Sequence, residues 1–99
     1  MNFVCSVFAS EVEWLMMLAM PTVLRQNGFA VMIPVGDHPP PHVHVVKGDH
    51  VLIVNLGDGD HEPSIRDNEG MNASEKSKAF RIVLDHRDRL LAQWRKFHG

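Results

Sequence analysis

Three of the chain's seven histidines fall in the run Asp37-His38-Pro39-Pro40-Pro41-His42-Val43-His44. Imidazole changes charge near neutral pH and, when neutral, offers a nitrogen lone pair, so such a cluster suits proton transfer or coordination of a transition metal. His42 and His44 are two residues apart. On a strand that spacing sends both rings to one face, with Val43 and Val45 on the other. The three prolines fix φ near -65° and disfavour helix, so the approach to His42 is an extended, pre-ordered segment. A catalytic metal usually takes three protein ligands, and His38, Asp37 or His86 could supply a third. Extended polyproline does not by itself return His38 toward His42. No residue is therefore assigned as a metal ligand, and the cofactor stays open.

Two more candidates come from the C-terminal third. His86 and Arg87 interrupt an otherwise regular helical pattern and project within or at the edge of its apolar arc. A guanidinium there stays charged, so Arg87 must meet a carboxylate, carbonyl groups or a phosphate. A substrate phosphate and a structural pair with Asp37 or another acid remain equal alternatives. The catalytic candidates are thus His38, His42, His44, His86 and Arg87, with Asp37, Lys47, Arg25 and Trp94 as binding candidates. His50, His61 and His98 are isolated and are expected to be solvated. Asp58, Asp60, Glu62 and Glu69 imitate calcium-loop spacing, but Pro63 occupies the position that needs glycine, which rejects calcium.

The elements that must position these residues can be read from pattern. Asn27-Gly28 is a hairpin turn between Thr22-Val23-Leu24-Arg25 and Phe29-Ala30-Val31-Met32-Ile33, because both turn residues tolerate positive φ. Lys47-Gly48-Asp49 forms a second turn. Val51-Leu52-Ile53-Val54-Asn55-Leu56 is β-branched and apolar enough for a buried strand, which Gly57-Asp58-Gly59-Asp60 ends. Asn72 followed by Glu75 predicts a helix start with reciprocal capping. Beyond it Ala79, Phe80, Ile82, Val83, Leu84, Leu90, Leu91, Trp94 and Phe97 share one arc, opposite Lys78, Arg81, Asp85, Asp88, Arg89, Arg95 and Lys96. The expected fold class is α+β: a small antiparallel sheet of four to five strands covered by a C-terminal amphipathic helix.

Composition bounds the rest. At 99 residues and 44% hydrophobic content, the chain has room for one core. The expected organisation is a single domain over residues 20–99 preceded by an N-terminal extension, 1–19. Met20-Pro21-Thr22 looks like a natural start, so the first segment is either a genuine extension or an upstream start site. Surface burial is modest at this size, which makes a homo-oligomer a reasonable expectation. The single cysteine, Cys5, suits a reducing, cytoplasmic setting. No apolar stretch reaches the roughly 20 residues that span a bilayer, so no membrane role is expected. A net charge of -2 argues against a general DNA-coating protein, although seven basic residues lie between Lys76 and Lys96.

From Met20 to His98 the chain resembles the small bacterial domain-of-unknown-function family numbered four-one-six-zero. The match rests on Met20-Pro21-Thr22-Val23 with Gly28-Phe29, on the run from Asp37 through Val45, on Gly48, and on His86-Arg87-Asp88-Arg89-Leu90-Leu91 with Trp94. The resemblance implies a toxin–antitoxin pair with this chain as the toxin and, as partner, a small cognate antitoxin encoded by an adjacent gene. The family signature points to His38, His42, His44, His86 and Arg87. One function expected from these residues is a His-dependent nuclease acting on RNA or DNA. In it His42 or His44 is general base, the other is acid, and Arg87 or Lys47 stabilises phosphate charge. The alternative is a non-enzymatic module of such a two-gene system that binds a partner or a metal through the Pro-His segment.

Overall fold

Asn27 and Gly28 both adopt positive φ, 53° and 83°, and close the first hairpin between β1 (Thr22–Gln26) and β2 (Phe29–Met32). This is the turn that matches the right-handed twist of the flanking strands. The second hairpin joins β3 (His42–Lys47) to β4 (His50–Asn55) through Gly48, φ 60°, and Asp49. A fifth strand, β5 (Ser64–Glu69), pairs antiparallel with β4. The computed structural model describes residues 20–98, so the expected extension over residues 1–19 lies outside the described residues. The five strands lie side by side in chain order, all neighbours antiparallel, which meets the α+β expectation.

The strand β5 carries little apolar pattern, and every one of its residues is exposed. It closes the sheet with a polar, charged edge, which discourages pairing with other chains. Its place is set by backbone pairing to β4, with a bulge where Ile53 passes to Val54.

The single predicted helix is two. Asn72 caps α1 (Ala73–Asp85): its side chain accepts from the Glu75 N–H at 2.8 Å, and the Glu75 carboxylate accepts from the Asn72 N–H at 3.1 Å. A one-residue break at His86 (φ -118°, ψ 18°) separates α1 from α2 (Arg87–His98). The break lets both helices turn apolar residues toward one core. Val31, Val43, Val45, Leu52 and Val54 from the sheet meet Ala79, Ile82 and Val83 of α1 and Leu90, Leu91 and Trp94 of α2. Leu84 and Phe97, placed on the apolar arc by periodicity, remain 42% and 36% exposed: each lies in the last turn of its helix, beyond the residues that the helix buries.

Candidate functional site

The residue at the centre is His42, the first of β3 and 1% exposed. Its Nδ1 lies 2.9 Å from the Pro40 carbonyl oxygen. A carbonyl only accepts, so Nδ1 carries a proton and donates it. The other nitrogen, Nε2, lies 3.0 Å from Oδ2 of Asp37, a carboxylate that is 55% exposed. Asp37 therefore returns to His42 across the three prolines. The hydrogen bond from His42 is the main cause that holds the Asp37 carboxyl below its ordinary value of 3.8.

His44 lies on the same side of β3, its ring centroid 5.8 Å from that of His42. Its half-buried position pushes the imidazole below the ordinary 6.5, and the His42 charge adds to this while Asp37 opposes it. Near neutral pH His44 is thus neutral, and one of its ring nitrogens carries a lone pair with no hydrogen-bond partner among the described residues. One potential ligand atom each from Asp37, His42 and His44 lies within 4.8 Å of the others. Behind them the indole of Trp94 covers His42 at 5.1 Å, and His98 stacks on Trp94 at 3.7 Å with planes 12° apart.

The ladder brings further groups that the sequence reading missed. Asn55 pairs with His42 across β3 and β4, and the Arg66 Nε–H donates to Asn55 Oδ1 at 3.0 Å. The positive charge of Arg66 reaches both Asp37 and His44. A cleft of about 380 Å³ has Pro40, Pro41, Asn55, Gly57, His61 and Ser64 among its walls; it reaches the chain neighbour Pro41 and the strand partner Asn55 of His42, but Asp37, His42 and His44 do not line it.

The other candidates have separate positions. His38 is exposed and outside the cluster. The ring nitrogen Nε2 of His86 pairs with Gln26 Oε1 at 3.0 Å. Arg87 meets carbonyl groups: its Nε–H donates to Leu56 O at 2.7 Å and a terminal N–H donates to His61 O at 3.2 Å. It thereby pins the β4–β5 loop that walls the cleft, and forms no pair with Asp37 among the described residues. Lys47 sits at the far end of β3 with its Nζ 5.0 Å from the Phe29 ring centroid, and Arg25 is an exposed residue of β1. Of the histidines expected to be solvated, His61 is exposed. His50 pairs with Glu75 at 3.2 Å. His98 departs from that expectation: it is half-buried, its Nδ1–H donates to Trp94 O at 2.9 Å, and its Nε2 is buried without a partner among the described residues.

These positions give the cluster two chemical capacities. It can polarise a bound water or hydroxyl through imidazole lone pairs, and it can hold a cation between nitrogen and oxygen donors. No helix among the described residues is long and apolar enough to cross a membrane. No curated protein and no solved structure matches the chain. A family model does match over residues 28–95, a span that takes in four of the five strands, both helices up to Arg95, the whole Pro-His run and Arg66, and the chain belongs to the family described as a domain of unknown function, DUF4160.

Proposed function

We propose that this protein is the growth-inhibiting component of a toxin–antitoxin module and that it hydrolyses a phosphodiester of RNA or DNA at Asp37, His42 and His44. The observation that carries this reading is the convergence of those three groups within 4.8 Å. Water is the nucleophile: its oxygen forms a new P–O bond as the ester P–O bond breaks, and a proton passes from the water to the leaving oxygen. The cluster lowers the cost of removing that proton. Arg66 supplies positive charge for the phosphate oxygens, the role that sequence alone gave to Arg87 or Lys47.

Expression of the parent chain should arrest growth, and co-expression of the neighbouring gene should relieve the arrest through a complex that co-purifies. The His44→Ala variant, which removes a half-buried ring and spares the core, should lose both growth arrest and nucleic-acid cleavage. If His44→Ala and Asp37→Ala fold and inhibit growth as strongly as the parent, the hydrolytic assignment is wrong.

A second reading has one observation of its own. His42 is almost fully buried with both ring nitrogens engaged, as suits a strut that holds the prolines as a rigid docking edge for a protein partner. Under it, the purified parent cleaves no nucleic acid, and His44→Ala still binds the neighbouring gene product.

A further inference from the structure

We infer that Asp37, His42 and His44 bind one divalent transition-metal ion, with His42 Nε2, a His44 ring nitrogen and a carboxylate oxygen of Asp37 as its protein ligands. This deepens the hydrolytic reading and rests on it for the use of the ion, though not for the binding.

The first ground is the proton inventory of His42. Its Nδ1–H is committed to the Pro40 carbonyl, so Nε2 meets the carboxylate oxygen at 3.0 Å either as the second N–H of an imidazolium, which is the hydrogen bond described above, or as the lone pair of the neutral ring. Two acceptors held this close need a cation between them, either a proton or a metal ion. The arrangement at Nδ1 is also the usual support of a metal-bound histidine, whose second N–H donates to a backbone carbonyl and thereby fixes tautomer and ring orientation.

The second ground is distance. With metal–nitrogen and metal–oxygen bonds of about 2.1 Å, two ligands at right angles stand about 3.0 Å apart, and two at the tetrahedral angle about 3.4 Å. The observed His42–Asp37 separation of 3.0 Å falls at the right-angle value. His44 stays within 4.8 Å of both partners, and among the described residues this is the one convergence of at least three such side chains.

The third ground is the setting. The prolines between Asp37 and His42 restrict the backbone, and Trp94 shields the buried ligand from water. The exposed carboxylate leaves the remaining coordination positions facing solvent. Three protein ligands with open positions are characteristic of catalytic rather than structural ions, and two imidazoles with one carboxylate favour zinc, cobalt, nickel or ferrous ions over magnesium and calcium. An ion here would acidify a bound water and so supply the hydroxide that hydrolysis needs.

The test uses the full chain prepared without a polyhistidine tag and stripped with a chelator. It is titrated with Co²⁺, followed by visible absorption, and then challenged with Zn²⁺ and Mg²⁺. One Co²⁺ per chain should bind, Zn²⁺ should displace it and Mg²⁺ should not. Asp37→Ala and His44→Ala should each weaken binding tenfold or more, while His38→Ala leaves it unchanged. Equal binding by the parent, Asp37→Ala and His44→Ala overturns the site, as does an absence of binding by the parent. His42 is left intact because loss of a buried ring threatens the fold. The two readings fail separately. A chain that binds Co²⁺ or Zn²⁺ as expected but cleaves no nucleic acid keeps the ion and loses the hydrolase, whereas undiminished cleavage in excess chelator keeps the hydrolase and loses the ion.

Discussion

At the scale of single residues, neighbours decide what an ionisable group does. His42 and His44 are chemically identical and two positions apart, yet one is closed between a carbonyl and a carboxylate while the other keeps a lone pair toward partly open space. Arg87 resolves in favour of carbonyl groups. Its charge-assisted bonds to Leu56 O and His61 O hold the loop after β4, so its removal leaves carbonyl oxygens without that donor. Arg87→Ala should destabilise the chain by about 1.5–3 kcal/mol in urea unfolding. A change confined to cleavage, with stability intact, would instead place Arg87 on the substrate.

At the scale of elements, the start of α1 gives a pH-dependent prediction. The Glu75 carboxyl is held below its ordinary 4.5, first by the hydrogen bond from the Asn72 backbone and further by His50. A depressed carboxylate adds stability above the unfolded-state value, and that contribution disappears as pH falls through the lower folded-state value. Glu75→Gln can still accept from the Asn72 N–H but lacks the charge. The parent should therefore melt at a higher temperature than Glu75→Gln above pH 4.5, with the gap closing as pH drops below it. A gap independent of pH would assign the effect to packing. The break at His86 belongs to this scale too: Leu90 N–H donates to His86 O at 2.9 Å, so α2 begins at once and carries its own apolar residues inward.

At the scale of the whole molecule, α2 is part of the core rather than an appendage. Leu90 is fully buried, and Trp94 links that core to the His42 ring. Leu90→Ala should cost about 2–5 kcal/mol of unfolding free energy through lost burial and the cavity left behind. At that magnitude the variant should also weaken the His42 site, because Trp94 lies one turn further along the same helix. A small loss, well under the range, would mean that α2 collapses onto the gap. Charge is distributed across the fold as well: the basic helical third and the acidic stretch around Asp58–Glu69 meet where Arg95 donates to Asp58 at 2.9 Å.

The sequence by itself determined what depends on near neighbours. Asn27-Gly28 and Gly48-Asp49 set the hairpins because backbone sterics select turn residues, and Asn72 with Glu75 set the helix start because capping spans one turn. The same-side placement of His42 and His44 followed from strand periodicity. Asn55 was missed as a site neighbour although a signal for it existed, since a two-residue turn at Gly48-Asp49 places it opposite His42. Only the tertiary structure decided that Asp37 rather than His38 returns to His42: the Pro39-Pro40 peptide bond is cis, so the segment is not the continuous extended run that three prolines suggest, and residue type alone does not choose between the two isomers. The same holds for β5, for Arg66 and for the carbonyl partners of Arg87. Each is fixed by contacts between distant segments, and a polar edge strand or a long guanidinium side chain carries no periodicity that announces its partner in advance.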